Sequence, residues 1–130
     1  MNDDVRDQAV RQALERGRQA LRAAHTLREA ELHDDALSRL YYALFHTLTA
    51  VLLSHGIEPR RHRMLISLLG THLPDRFGAE ELAVVARAQT YRDLADYERT
   101  WTATAQVVDT AFAETEPLIH KAERMVQGNA

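Results

Sequence analysis

Residues 36–55, ALSRLYYALFHTLTAVLLSH, restrict what this chain can fold into more than any other stretch. Apolar side chains at Leu37, Leu40, Tyr41, Leu44, Phe45, Leu48, Val51 and Leu52 recur at the i, i+3, i+4, i+7 spacing of a buried helix face. The spacing predicts a core helix over 36–55 that no Pro or Gly interrupts. Gly56 stands where a left-handed C′ residue would end it, and Ile57 at C″ can pack back on Leu52 as a Schellman ending requires. A neighbouring face is different: Arg39, Tyr42 and His46 form a polar line at i, i+3, i+7 on an otherwise apolar helix. Such a line either closes a hydrogen-bond network in the core or faces a site.

The flanking sequence is helical as well. Residues 4–32 read as a long first helix that Asn2 or Asp3 can cap, with acidic residues at the positive end of its dipole. Its stripe of Val5, Ala9, Ala13, Gly17, Ala20, Ala24 and Leu27 is narrow and small, which suits close approach of another helix within the chain or across a dimer. His33, Asp34 and Asp35 make the turn into the second helix, with an Asp as N-cap. A third helix follows Arg60–Arg63 to about Leu73, where Pro74 stops it. A fourth runs from Ala79 to about Tyr97, and a fifth from about Trp101 to Gln127, which Pro117 should kink. With no alternating strand pattern, the fold class is all-α: an up-and-down bundle of four to five helices in one domain over residues 1–130.

Composition narrows the chemistry. The chain has 130 residues and no Cys, which excludes disulfides and thiolate nucleophiles or metal ligands. His25, His33, His72 and His120 lack a paired spacing with carboxylates that would suggest a metal, so neither metal nor cofactor is expected. A net charge of −3 gives no global pull toward nucleic acid, so any RNA contact requires a local patch. Arg60, Arg61, His62 and Arg63 form the one compact basic cluster and are a candidate phosphate or RNA patch. With no charged-then-apolar leader and no uncharged apolar run near 18 residues, the expected location is cytoplasmic, with no membrane contact.

The fourth helix holds a second anomaly. Its stripe runs Leu82, Val85, Ala86, Gln89 and then reaches Arg92 and Asp96, a charged i, i+4 pair on a core-facing line. The two can pair with each other, and Tyr41, Tyr42 or Tyr97 can add hydrogen bonds.

The phrase SRLYYALFHTLTAVLLSHGIEP, then His62, then YRDLADY at Tyr91–Tyr97 resembles the HEPN domain (higher eukaryote and prokaryote nucleotide-binding). It is most similar to a small stand-alone branch with an Arg-x-Tyr-Tyr-Ala-x-Phe-His helix and a later Arg-x3-Asp-Tyr. The first motif is met by Arg39, Tyr41, Tyr42, Ala43, Phe45 and His46, the second by Arg92, Asp96 and Tyr97. The resemblance implies a helical bundle that forms a homodimer, is paired with an MNT-type nucleotidyltransferase antitoxin, and acts as the toxin. It further implies a metal-independent endoribonuclease in which an Arg and a His, four to six residues apart, meet across two protomers. By resemblance the candidate catalytic residues are Arg92, Asp96, Tyr97, Arg39 and His46, with Tyr42 beside the basic cluster in phosphate or RNA binding and His62 an alternative proton carrier. In this sequence Tyr97, Glu98 and Arg99 occupy the positions where the family's His would stand. The alternative function is a non-catalytic HEPN module that binds a nucleotide or a partner nucleotidyltransferase. In some relatives that partner transfers AMP to a tyrosine, which Tyr97 or Tyr91 could supply.

Overall fold

The computed structural model describes residues 2–61 and 64–128. Among these residues are five helices: α1 (Asp3–Glu29), α2 (His33–Ser54), α3 (Met64–His72), α4 (Ala79–Tyr97) and α5 (Ala105–Val126). α2 touches every other helix, and α4 also packs on α3 and α5. Its predicted apolar face is buried throughout except at half-buried Phe45. Burial of a stripe this long is the main stabilising term available to a bundle. α2 is long and apolar enough to cross a membrane by length and composition, yet 67 % of its most apolar window is buried by the other helices.

The C-terminus of α2 is the Schellman ending that Gly56 implies. Gly56 has φ +76°, its N–H donates to the Leu53 carbonyl (2.9 Å), and the Ile57 N–H donates to Leu52 (2.9 Å). α1 starts as expected, with Asn2 Oδ1 accepting from the Val5 N–H at 2.8 Å. Its small stripe serves α2 of the same chain: a Cβ at Gly17 would lie 2.5 Å from Thr47 Oγ1 and 3.3 Å from the Ala43 carbonyl. Val5, placed on that stripe by its spacing, is instead 50 % exposed.

Three boundaries differ from expectation. α1 ends at Glu29 rather than Leu32, because Glu31 takes a left-handed conformation (φ 60°) and Leu32 N–H donates back to Leu27 (2.9 Å). His33–Asp35 are not a turn but the first turn of α2, whose N-cap Leu32 offers no side-chain cap. Asp34 does not cap; its carboxylate accepts from the backbone N–H of Ala103 at 2.8 Å. That clasp holds the segment before α5 out of helix, and Thr104 caps α5 by accepting from Val107 N–H, so the helix begins at Ala105, four residues after the predicted start at Trp101. α5 then runs through Pro117 to Val126. On the far side of the bundle, Lys121 donates to both Glu81 carboxylate oxygens and to the Arg76 carbonyl, and its ammonium lies over the Phe77 ring. These contacts tie the turn between α3 and α4 to α5.

Candidate functional site

The anomalies of α2 and α4 meet. On α4 the buried line is Val85, Ala88, Arg92, and only 11 % of the Arg92 side chain remains exposed. Its guanidinium carbon lies 5.2 Å from the ring centre of Tyr41, 5.7 Å from Tyr42 and 5.6 Å from Tyr97. Three π-faces around one cation compensate part of its lost hydration. Arg92 Nη1 donates to Tyr97 Oη at 3.1 Å and lies 3.9 Å from Asp96, while Nε lies 3.4 Å from Asp93. Nε itself has no well-formed hydrogen bond. Ser38 on α2 donates to Asp96 at 3.3 Å and so links the two helices at the carboxylate.

Burial works against the Arg92 charge, but Tyr42, Asp93, Tyr97 and Tyr41 outweigh it and hold the group above its ordinary range. Burial also pushes the Tyr41 hydroxyl up to about 12, with Arg92 working against it. Tyr41, 1 % exposed, is therefore a neutral wall of the site rather than a base at pH 7.

The polar line of α2 runs outward from this cage. Exposed Arg39 lies over the Tyr42 ring at 5.1 Å, and His46 stacks on the same ring one turn further on, with centroids 6.2 Å apart. Arg39, Tyr42, Arg92, Asp96 and Tyr97 thus form one assembly, with His46 at its edge. Arg60 and Arg61 of the basic cluster do not join it. Arg60 and Arg61 are exposed beyond the opposite end of α2, about 20 Å along its axis from Tyr42 at 1.5 Å per residue. His62 and Arg63 lie outside the described residues. Among the described residues no group of three or more His, Asp or Glu is placed to hold a metal ion.

Sequence reasoning missed Ser38 and Asp93. Ser38 stands four residues before Tyr42, so helical spacing could have added it to the polar line. Asp93 carried no such signal, since its neighbour Arg92 points about 100° away around the helix and reaches it only by turning its long side chain sideways.

The HEPN domain profile matches residues 10–126. The chain belongs to the HEPN family. Across 97 % of its length this HEPN protein is 29 % identical to a Methanocaldococcus jannaschii protein named "Putative toxin MJ0605", covering 89 % of that relative. "Putative toxin MJ0142" of the same organism is 28 % identical over 83 % of this chain and 70 % of its own. A Gloeobacter violaceus protein named "UPF0332 protein glr0978" is 36 % identical over 65 % of this chain and 68 % of its own. The matched span contains every residue of the Arg92 cage and the whole of α2, so the family's fold and the site coincide in sequence.

Proposed function

We propose that this HEPN protein is the toxin of a toxin–antitoxin module and acts on RNA as a homodimeric, metal-independent endoribonuclease, restrained by an MNT-type nucleotidyltransferase partner. The observation that carries the reading is the Arg92 guanidinium, held nearly out of water by three tyrosine rings and oriented by Asp96, Asp93 and Tyr97. A cation fixed in low-dielectric surroundings before substrate arrives stabilises developing charge more than a solvated one does. In the reaction the RNA 2′-hydroxyl oxygen bonds to the adjacent phosphorus, the P–O5′ bond breaks, and a 2′,3′-cyclic phosphate forms. The 5′-oxygen leaves with a proton. In this reading Arg92 and Arg39 bear the charge of the phosphorane, Asp96 orients Arg92, and His46 or His62 moves the protons. A tyrosine in place of the family's His is a poor substitute for it as base.

Expression in a growth assay tests this. The parent arrests growth and its purified dimer cuts RNA in the presence of a chelator, while Arg92→Ala and His46→Ala relieve the arrest. If both variants stay as toxic as the parent, the ribonuclease reading fails.

One observation favours the second reading, a non-catalytic module that binds a nucleotide or the partner enzyme: the hydrogen-bond partner of Arg92 Nη1 is a tyrosine hydroxyl rather than an imidazole. On that reading the pure protein cuts no RNA but forms a stable complex with the nucleotidyltransferase. Were AMP transferred to a tyrosine, Tyr97 at 72 % exposure is more accessible than half-buried Tyr91, and intact mass after co-expression would show the adduct.

A further inference from the structure

Beside the Arg92 cage, the outward face of the last two turns of α4 forms an open groove of about 440 Å³ lined by Thr90, Asp93, Leu94, Tyr97 and Glu98. Two of these residues also hold Arg92: Tyr97 through its hydroxyl, and Asp93, whose carboxylate lies 3.4 Å from Nε. Arg92 is nine-tenths buried, and Nε, a buried nitrogen without a well-formed hydrogen bond, is the one that faces Asp93 at the groove. Tyr97 is an aromatic ring 72 % exposed to water yet fixed from behind, by the hydrogen bond and by the guanidinium 5.6 Å from its centre. A large ring that is open on one side and already immobile is a stacking platform, because a base gains contact without costing the ring its rotamer freedom.

The groove's polar groups decide which base. Asp93 and Glu98 are acceptors, and Thr90 commits its hydroxyl proton to the Ala86 carbonyl at 3.0 Å, leaving lone pairs outward. Among the described residues no cation lines the groove, so a phosphate is repelled there and is drawn instead toward Arg92. Carboxylates accept only, and they accept best from two adjacent donors. Guanine offers such an edge in N1–H and the 2-amino group. Adenine and cytosine set a ring-nitrogen acceptor beside their amino group, and uracil flanks its single N–H with carbonyls. The Asp93 side chain is 54 % exposed, so it can meet that edge while its neighbour Arg92 stays in place.

We infer that this groove is a guanine subsite: the base stacks on Tyr97, its N1–H and 2-amino group donate to Asp93, and its 3′-phosphate turns back toward Arg92. The inference rests on the RNA reading above and adds the base that the site takes.

Calorimetric titration of the full chain with 3′-GMP, 3′-AMP, 3′-CMP and 3′-UMP tests it. The expected result is that 3′-GMP binds about 10-fold or more tighter than the other three. Asp93→Asn, at an exposed position, reduces that preference to below about threefold. Tyr97→Leu weakens all four by roughly 5- to 100-fold. Equal affinity for the four nucleotides, no binding at millimolar concentration, or a guanine preference that survives Asp93→Asn overturns the subsite. Failure here is separable from failure of the RNA reading. If the four bind alike while Arg92→Ala still abolishes RNA cleavage, the subsite is wrong and the ribonuclease stands. If 3′-GMP is preferred through Asp93 by a protein that cuts no RNA, the subsite stands without it.

Discussion

Replacing Arg92 by Met asks whether the buried cation is kept for the fold or for a ligand. Met fills much of the same volume without the charge, so the energies lost and gained can be set side by side. Lost are three ring contacts at 5.2, 5.6 and 5.7 Å, each worth about 0.5–2 kcal/mol around a largely desolvated cation. Lost too are a hydrogen bond to Tyr97 worth about 1 kcal/mol and two ion pairs. Those pairs, at 3.4 and 3.9 Å to carboxylates whose side chains are 54 % and 30 % exposed, contribute under about 1 kcal/mol each. Against these stands the removal of a guanidinium desolvation cost of several kcal/mol. A thioether packed on the same rings recovers about 0.3–1.5 kcal/mol per contact. The two sides match to within about 2–3 kcal/mol. Urea unfolding of Arg92→Met should therefore give a stability close to the parent's, while growth arrest and RNA cleavage are lost. A loss of more than about 3 kcal/mol would refute the reasoning, because Arg92 would then be a structural member whose removal breaks the bundle.

Further outcomes follow from other parts of the fold. Tyr41, pushed up to about 12 by burial, keeps its proton when an unfolded tyrosine loses one near pH 10. The stability it contributes is complete below pH 10 and is lost as pH rises toward 12, about 2–3 kcal/mol in all; urea midpoints from pH 8 to 11 should fall less steeply in Tyr41→Phe. Glu31→Gly relieves a left-handed non-glycine residue (φ 60°) and should raise stability by about 0.5–1 kcal/mol, read as a higher melting temperature. Gly17→Ala gains about 1 kcal/mol of helix propensity but places a Cβ 2.5 Å from Thr47 Oγ1, so overpacking should leave a net loss of about 1–2 kcal/mol. In a Thr47→Ala background that loss should shrink, and strict additivity of the two changes would show that the clash is not its cause.

What the sequence made legible is what local rules determine. The apolar period and Gly56 specify α2 and its ending within a single window of chain, and the structure keeps both. The end of α1 escaped because Glu31 adopts the left-handed conformation that glycine normally signals. The start of α5 escaped because the acid that looked like a cap, Asp34, spends its oxygen on Ala103, 69 residues away, and no window spans that distance. The site divides the same way. Arg39, Tyr42 and His46 were visible as a spacing and Arg92 with Asp96 as an i, i+4 pair, whereas Asp93 joins only because the long Arg92 side chain turns sideways to bring Nε within 3.4 Å of it.

The register of α2 against α4 also explains why the cage opens to solvent and is not a sealed core pair. Tyr41 and Tyr42 are consecutive, so their side chains leave the helix about 100° apart. Both can lie within 6 Å of one guanidinium only if it sits in the angle between them. One edge of that angle is the buried face, where Tyr41 is 1 % exposed, and the other is the polar line, where Tyr42 is half-buried and Arg39 reaches water. Arg92 therefore lies on the seam between core and solvent, with the exposed ring of Tyr97 on its outer side. On the ribonuclease reading, a phosphate approaching along the polar line would meet Arg39 first and Arg92 at its end. Two aromatic residues side by side in the central helix are thus what lets one arginine be desolvated by the core and still face the outside.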